Sequence, residues 1–127
     1  MENYSIDGTQ KTPTIYFDLA KGELSISGSS IPENSVDFYK PLIAALDTYI
    51  AAPKPKTLAS FNMRYFNTSS SKRILDIFKK LEVLNRGGTS VVTINWVYED
   101  DDDDMLEAGE DYQSVVDLPF VMVPVKI

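Results

Sequence analysis

The sequence predicts a single α/β domain over residues 1–127, with a mixed β-sheet of about five strands flanked by helices. The chain has 127 residues, enough for one domain of ordinary size and too few for two. Segments with the two-residue period of strands alternate with segments of helical period in the order β-β-α-β-α-β-α-β, which is typical of helices packed on a sheet. Internal repeats and a flexible linker are absent from the sequence.

The first two strands are predicted to form a hairpin. Apolar and polar residues alternate over 14–18 and over 23–27, and the loop between them contains Ala20-Lys21-Gly22. Residues 28–34 combine glycine, serine, proline and asparagine, which indicates a loop.

A first helix should follow this loop, with Asn34 or Ser35 as its cap. Its apolar residues recur at helical spacing as far as Ile50. Because Pro41 lacks an N–H group, we expect regular helix only from about Asp37, or a kink in the first turn.

A third strand and a second helix come next. Residues 57–65 read as a strand whose one face carries Ala59, Phe61, Met63 and Tyr65. Five consecutive capping side chains at 67–71 then mark a helix start. That helix carries apolar residues at helical spacing over 74–84 and should stop at Gly87-Gly88.

The last third of the chain is predicted as strand, helix and strand. Residues 90–98 alternate as a strand does, and residues 104–117 can form a helix although Gly109 costs about 1 kcal/mol relative to alanine. Residues 120–127 complete the sheet, and Pro124 favours an edge position for this strand.

Composition excludes several functional classes. The chain has neither cysteine nor histidine, so thiolate chemistry is impossible, and the commonest general base and zinc ligand are missing. We therefore expect a protein that is not an enzyme and holds no metal or cofactor. The start of the chain does not resemble a signal peptide and no apolar run approaches the ~20 residues of a membrane span, which predicts a cytoplasmic protein without membrane insertion.

The charge of the chain is strongly polarised. Residues 99–117 hold ten acidic and no basic side chains, whereas the remainder holds nine acidic and twelve basic ones. Nucleic-acid binding is not expected, because it requires clustered lysine and arginine. The run 99–104 could hold a divalent cation, but it lacks the glycine of an EF-hand loop. A solvated acidic loop beside the positive end of the third helix is the favoured interpretation.

The stretch from Asn67 to Arg73 is the best candidate site. Its simplest interpretation is an N-cap, yet one cap needs one side chain and Thr68, Ser69, Ser70 and Ser71 offer four hydroxyls. Lys72 and Arg73 also lie in the first turn, where the helix dipole disfavours cations. A phosphate at this position would convert that cost into attraction, so the stretch is suited to a phosphorylated or phosphate-bound state.

Longer motifs carry a family resemblance. The chain resembles the SiaC-type regulatory phosphoproteins of bacteria through Asn67-Thr68-Ser69-Ser70-Ser71-Lys72 and through Asp104-Met105-Leu106-Glu107-Ala108-Gly109-Glu110-Asp111-Tyr112. Further matches include Thr12-Pro13, Ser30-Ile31-Pro32-Glu33-Asn34, Phe38-Tyr39-Lys40-Pro41 and Pro119-Phe120. The resemblance implies a fold like that of anti-sigma-factor antagonists (STAS-like).

The resemblance also implies a mechanism. Thr68 is the expected phosphorylation site of a partner protein kinase, a PP2C-type phosphatase is expected to remove the phosphate, and Asn67, Ser69, Ser70, Ser71 and Lys72 are expected to contact partners. The unphosphorylated form is expected to bind and promote a diguanylate cyclase and so to control cyclic-di-GMP and biofilm formation. A metal-binding enzyme using the acidic run and a passive structural adaptor are the two alternatives.

Overall fold

The computed structural model describes residues 3–126 and shows a mixed α/β domain with one more strand than expected. Its elements, in chain order, are β1 (Tyr4–Ile6), β2 (Thr14–Asp18), β3 (Glu23–Ser30), α1 (Ser35–Ala51), β4 (Lys56–Phe66), α2 (Thr68–Gly87), β5 (Val91–Glu99), α3 (Asp103–Val115) and β6 (Phe120–Val125). The additional strand is β1, whose three residues are too few to show a period. The predicted last strand reached Ile127, which lies outside the described residues.

The sheet has the strand order β1-β2-β3-β4-β5-β6. β1, β2 and β3 pair antiparallel, whereas β3, β4, β5 and β6 pair parallel. β-α-β crossovers are right-handed and the strand order advances in one direction, so all three helices fall on the same face. The other face is uncovered, and its central strands carry polar residues such as Ser60, Asn62 and Asn95. β6 is an edge strand, as Pro124 indicated.

A β-bulge in the pairing of β3 with β4 changes the predicted side-chain alternation of β4. Gly28 lies opposite Met63 and Ser29 lies opposite Tyr65, so Arg64 is an extra residue on β4. Because one extra residue reverses the side-chain alternation, Tyr65 is exposed, and the prediction that it shares a face with Ala59, Phe61 and Met63 is wrong. The predicted loop from 28 is also wrong in part, because β3 continues to Ser30.

The first helix begins earlier than Pro41 suggested. Asn34 is its N-cap and accepts a hydrogen bond from the Asp37 amide at 3.1 Å. The helix starts at Ser35, and Pro41 lies within it on the exposed side. The prediction of Asn34 as a cap is therefore confirmed, whereas the alternative that regular helix starts only near Asp37 is wrong. The missing proline N–H deprives only the exposed Asp37 carbonyl of a partner, and water can replace it.

Gly109 of α3 lies against the indole ring of Trp96, which is fully buried on β5. The indole Nε1–H donates to the Met105 carbonyl at 2.9 Å, which holds the ring beneath the helix. A Cβ atom on residue 109 would lie 2.6 Å from Nε1 and 2.8 Å from Cγ of this ring. The glycine that weakened the helix prediction is thus what allows α3 to approach the sheet.

A buried carboxylate joins α2 to the segment after α3. The Asp117 amide donates to Glu82 Oε2, and Lys79 and Arg86 lie 3.7 Å and 3.5 Å from Oε1. The hydrogen bond from Asp117, helped by the two cations, holds the pKa of Glu82 below its ordinary value of 4.5 although burial opposes this.

Within residues 3–126, no helix is long and apolar enough to cross a membrane.

Candidate functional site

The candidate site lies at the carboxyl edge of the parallel strands. β3 ends at Ser30, β4 at Phe66 and β5 at Glu99, and α2 begins two residues after β4. In open α/β sheets this edge is where binding sites usually form. The fold therefore places the 67–72 stretch and the acidic run along the same edge.

Asn67, and not one of the hydroxyls, caps α2. Its side-chain oxygen accepts from the Ser70 amide at 2.8 Å, and its carbonyl accepts from the Ser71 amide at 2.9 Å. Its own amide donates to the Ser30 carbonyl at 3.1 Å, which ties the cap to the end of β3. Asn67 thus positions the first turn of α2 and Thr68 is the first helical residue.

Ser70 belongs to a buried hydroxyl chain that joins three elements. The Ser30 hydroxyl donates to the Ser70 hydroxyl at 2.8 Å and lies 2.7 Å from the Tyr39 hydroxyl of α1. Because Ser30 has a single proton to donate, Tyr39 is the donor to Ser30. Burial raises the pKa of Tyr39, so the phenol remains protonated at neutral pH. Ser70 has no exposed surface and supports the helix start from inside.

Ser69 and Ser71 also have partners. The Ser69 hydroxyl bonds to that of Ser35, the first residue of α1, so the starts of the two helices lie side by side. The Ser71 hydroxyl donates to the Thr68 carbonyl at 2.8 Å. The Ser71 carbonyl accepts from the Tyr112 hydroxyl of α3 at 2.9 Å. Burial raises the pKa of Tyr112, which keeps this donor protonated.

Thr68 differs from its three serine neighbours. Thr68 and Ser69 are both exposed, but only the Thr68 hydroxyl forms no hydrogen bond with any residue in 3–126. The surplus of hydroxyls is therefore explained: the three serines hold the helix start in place, and Thr68 presents its hydroxyl to solvent.

The two cations of the first turn have different environments. The Arg73 Nε lies 2.9 Å from Asp76 Oδ2 on the same helix, and its side chain is only 23% exposed. Lys72 is exposed and forms no ion pair with any residue of the described chain. Lys72 is thus the cation available to a group attached to Thr68, which is four residues away.

The acidic run forms a turn and the start of α3. Asp102 is the N-cap of α3 and accepts from the Met105 amide at 3.0 Å, and Asp103 and Asp104 occupy the first turn. Carboxylates at a helix N-terminus are favoured by the dipole, so the run has a structural explanation. No group of three or more acidic side chains within residues 3–126 has an arrangement that could hold a metal ion. The absence of a metal function stays a prediction.

No site role was predicted for four supporting residues, although Ser30, Tyr39 and Tyr112 lie in the family-like motifs and Ser35 was a cap candidate. Three of them lie 34 to 41 positions away from their hydrogen-bond partners in the 67–71 cluster, namely Ser30, Ser35 and Tyr112. The fourth, Tyr39, is linked to the cluster through Ser30. Only the fold brings them together. The partner-binding roles of Asn67, Ser69, Ser70, Ser71 and Lys72 stay predictions.

Comparisons with known proteins agree on one family. A relative from Pseudomonas aeruginosa (strain UCBPP-PA14), itself uncharacterized, is 32% identical over 122 residues and covers 96% of each chain. The crystal structure of apo-SiaC from Pseudomonas aeruginosa matches with a TM-score of 0.88 at 32% identity, covering 97% of this chain and 99% of that one.

A second solved structure adds a complex. A chain in the crystal structure of the diguanylate cyclase SiaD with its activator SiaC, from Pseudomonas aeruginosa, matches with a TM-score of 0.90 at 31% identity, covering 96% of this chain and 99% of that chain. The model of the SiaC family regulatory phosphoproteins matches residues 6–125. The likeness to anti-sigma-factor antagonists stays a prediction. Because the family match spans nearly the whole chain, this protein belongs to the SiaC family of regulatory phosphoproteins.

Proposed function

We propose that this chain is a non-enzymatic cytoplasmic regulator switched by reversible phosphorylation of Thr68. A protein kinase adds the phosphate and a PP2C-type phosphatase removes it. The unphosphorylated form binds a diguanylate cyclase and promotes its activity, and thereby controls cyclic-di-GMP and biofilm formation. The relative in the solved complex is the activator of a diguanylate cyclase, which supports this choice of effector.

One observation supports Thr68 above its neighbours. Of the four hydroxyls at 68–71, those of the three serines are occupied within the protein, whereas that of Thr68 is exposed and bonded to no described residue. A kinase can therefore reach it without breaking the helix start. Modification of Ser70 would instead require the buried hydroxyl chain to open.

The expected effect of phosphorylation is local. The phosphate adds about −1.5 to −2 charges at the positive end of α2, four residues from Lys72. Because hydrogen bonds from α1, β3 and α3 hold this helix start, the added charge and bulk should alter the surface without refolding it. Such a change can exclude one partner and admit another.

The test uses the SiaD-type diguanylate cyclase of the source organism. The purified kinase should modify the wild type at Thr68, as mapped by phosphopeptide analysis, and should leave Thr68→Ala unmodified. Ser69→Ala is the matched control, because Ser69 is the exposed neighbour whose hydroxyl is bonded to Ser35, and this variant should still be modified at Thr68. Unmodified wild type and Thr68→Ala should stimulate cyclic-di-GMP synthesis. Modification of a serine alone, or no stimulation by unmodified protein, would contradict the proposal.

A further inference from the structure

An apolar groove opens between α2 and α3 beside Thr68. Its volume is about 270 Å³, and its apolar wall consists of Phe66, Leu75, Ala108, Tyr112 and Val115. An apolar cavity of roughly 150 Å³ accommodates benzene. The groove therefore has room for a leucine, methionine or phenylalanine side chain of another molecule.

The groove and Thr68 share one face of α2. Ser71 and Leu75 line the groove and follow Thr68 by three and seven residues, the spacing of side chains stacked along one helix face. A phosphate on Thr68 thus extends the same surface. Val115 lies at the rim with 56% of its surface exposed, so part of the apolar wall faces solvent.

Charges of opposite sign flank the groove. Asp111 lines it on the α3 side, and α3 belongs to the segment 99–117, with ten acidic side chains and no basic one. On the α2 side, Lys72, which forms no ion pair with the part of the chain that the structure describes, follows the groove residue Ser71 near the positive end of the helix. A partner segment that complements these charges would place a basic residue beside α3 and an acidic residue beside α2.

We infer that this groove receives an apolar side chain of the effector, on a segment with a basic residue facing Asp111 and an acidic residue facing Lys72. This inference rests on the proposed function, because the effector is the diguanylate cyclase. It also gives the phosphate a physical role. A phosphate on Thr68 competes with the effector's acidic residue for Lys72, and so weakens binding although the groove itself is unchanged.

The test measures the affinity of groove variants for the purified SiaD-type cyclase of the source organism by calorimetry. Val115→Ala removes part of the wall and should weaken binding about 3- to 10-fold. The control Val83→Ala, at a similarly exposed valine of α2 outside the groove, should leave the affinity unchanged. Ala108→Leu should fill the groove and weaken binding about tenfold or more, with Ala44→Leu on exposed α1 surface as its control.

Charge reversal tests the second part of the inference. Asp111→Lys should weaken binding about fivefold at low salt and less at high salt, and the control Glu23→Lys, an exposed residue at the opposite end of the sheet, should not. Groove variants that bind as tightly as their controls, while wild-type binding still depends on phosphorylation, would overturn the inference and leave the proposed function standing. No binding by unmodified wild type would remove both. Loss of self-association of the free protein in Val115→Ala would identify a second copy as the occupant and would also overturn the inference.

Discussion

Gly109→Ala should destabilise the protein, although alanine is the better helix former. In an open helix interior the exchange stabilises by about 1 kcal/mol. Here the new Cβ would lie 2.6 Å from Trp96 Nε1, whereas carbon contacts are comfortable at about 3.5–4.0 Å. The indole is fully buried and hydrogen-bonded to Met105, so it cannot yield by an ångström without moving α3. Overpacking of this severity costs about 2–3 kcal/mol, which leaves a net loss of about 1–2 kcal/mol.

The assay is chemical and thermal unfolding of Gly109→Ala beside Gly87→Ala. Gly87 is the last residue of α2, and no atom lies within 4 Å of the Cβ position there. Gly87→Ala should be neutral or slightly stabilising, whereas Gly109→Ala should lower the Tm by about 4–8 °C. In a Trp96→Phe background, Gly109→Ala should cost less stability, because the smaller phenylalanine ring leaves space for the new Cβ atom. An equal or higher stability of Gly109→Ala than of Gly87→Ala would refute the close-packing argument.

Three further predictions concern stability. Ser70→Ala should cost about 1–3 kcal/mol because it leaves a buried donor unpaired, whereas Thr68→Ala should stay within about 0.5 kcal/mol, as urea unfolding can show. The lowered pKa of Glu82 means that its charge stabilises the fold fully above pH 4.5 and progressively less as the pH falls towards the lowered value. Glu82→Gln should therefore lower the Tm at pH 7 and lose this effect in acid, unlike the exposed Glu33→Gln. Lys72→Gln should lower the Tm of the phosphoprotein alone, and high salt should abolish the difference in calorimetry; an equal drop in the unmodified form would contradict this role.

The order and type of the long elements were predictable from the sequence because their periodicity is strong. The apolar residues of α2 that recur at helical spacing are buried as predicted, namely Ile74, Ile77, Phe78, Leu81 and Leu84, and Gly88 ends the helix in the left-handed conformation. The edge position of β6 followed from Pro124, since a proline cannot donate to a neighbouring strand.

The errors have local physical causes. The bulge at Arg64 depends on the partner strand, so the sequence of β4 alone indicated the wrong side for Tyr65. Pro41 suggested that regular helix starts only near Asp37, but the buried residues Tyr39, Leu42 and Leu46 stabilise the helix from its predicted cap onward.

The candidate site was predictable in position but not in its internal roles. The cluster of hydroxyls marked the helix start. Which hydroxyls are hydrogen-bonded within the protein, and that Thr68 is bonded to no described residue, depends on Ser30, Ser35 and other residues far away in the chain. Such contacts leave no periodic signal in the sequence.

The most direct test of the central claim is the affinity of the cyclase for unmodified protein and for protein fully phosphorylated at Thr68, measured side by side by calorimetry. We expect tight binding of the unmodified form and binding weaker by about tenfold or more for the phosphoprotein, since a local charge of about −2 is added at the partner surface. Thr68→Ala treated with the kinase should bind as the unmodified form does. Equal affinities of the two wild-type forms would contradict the account.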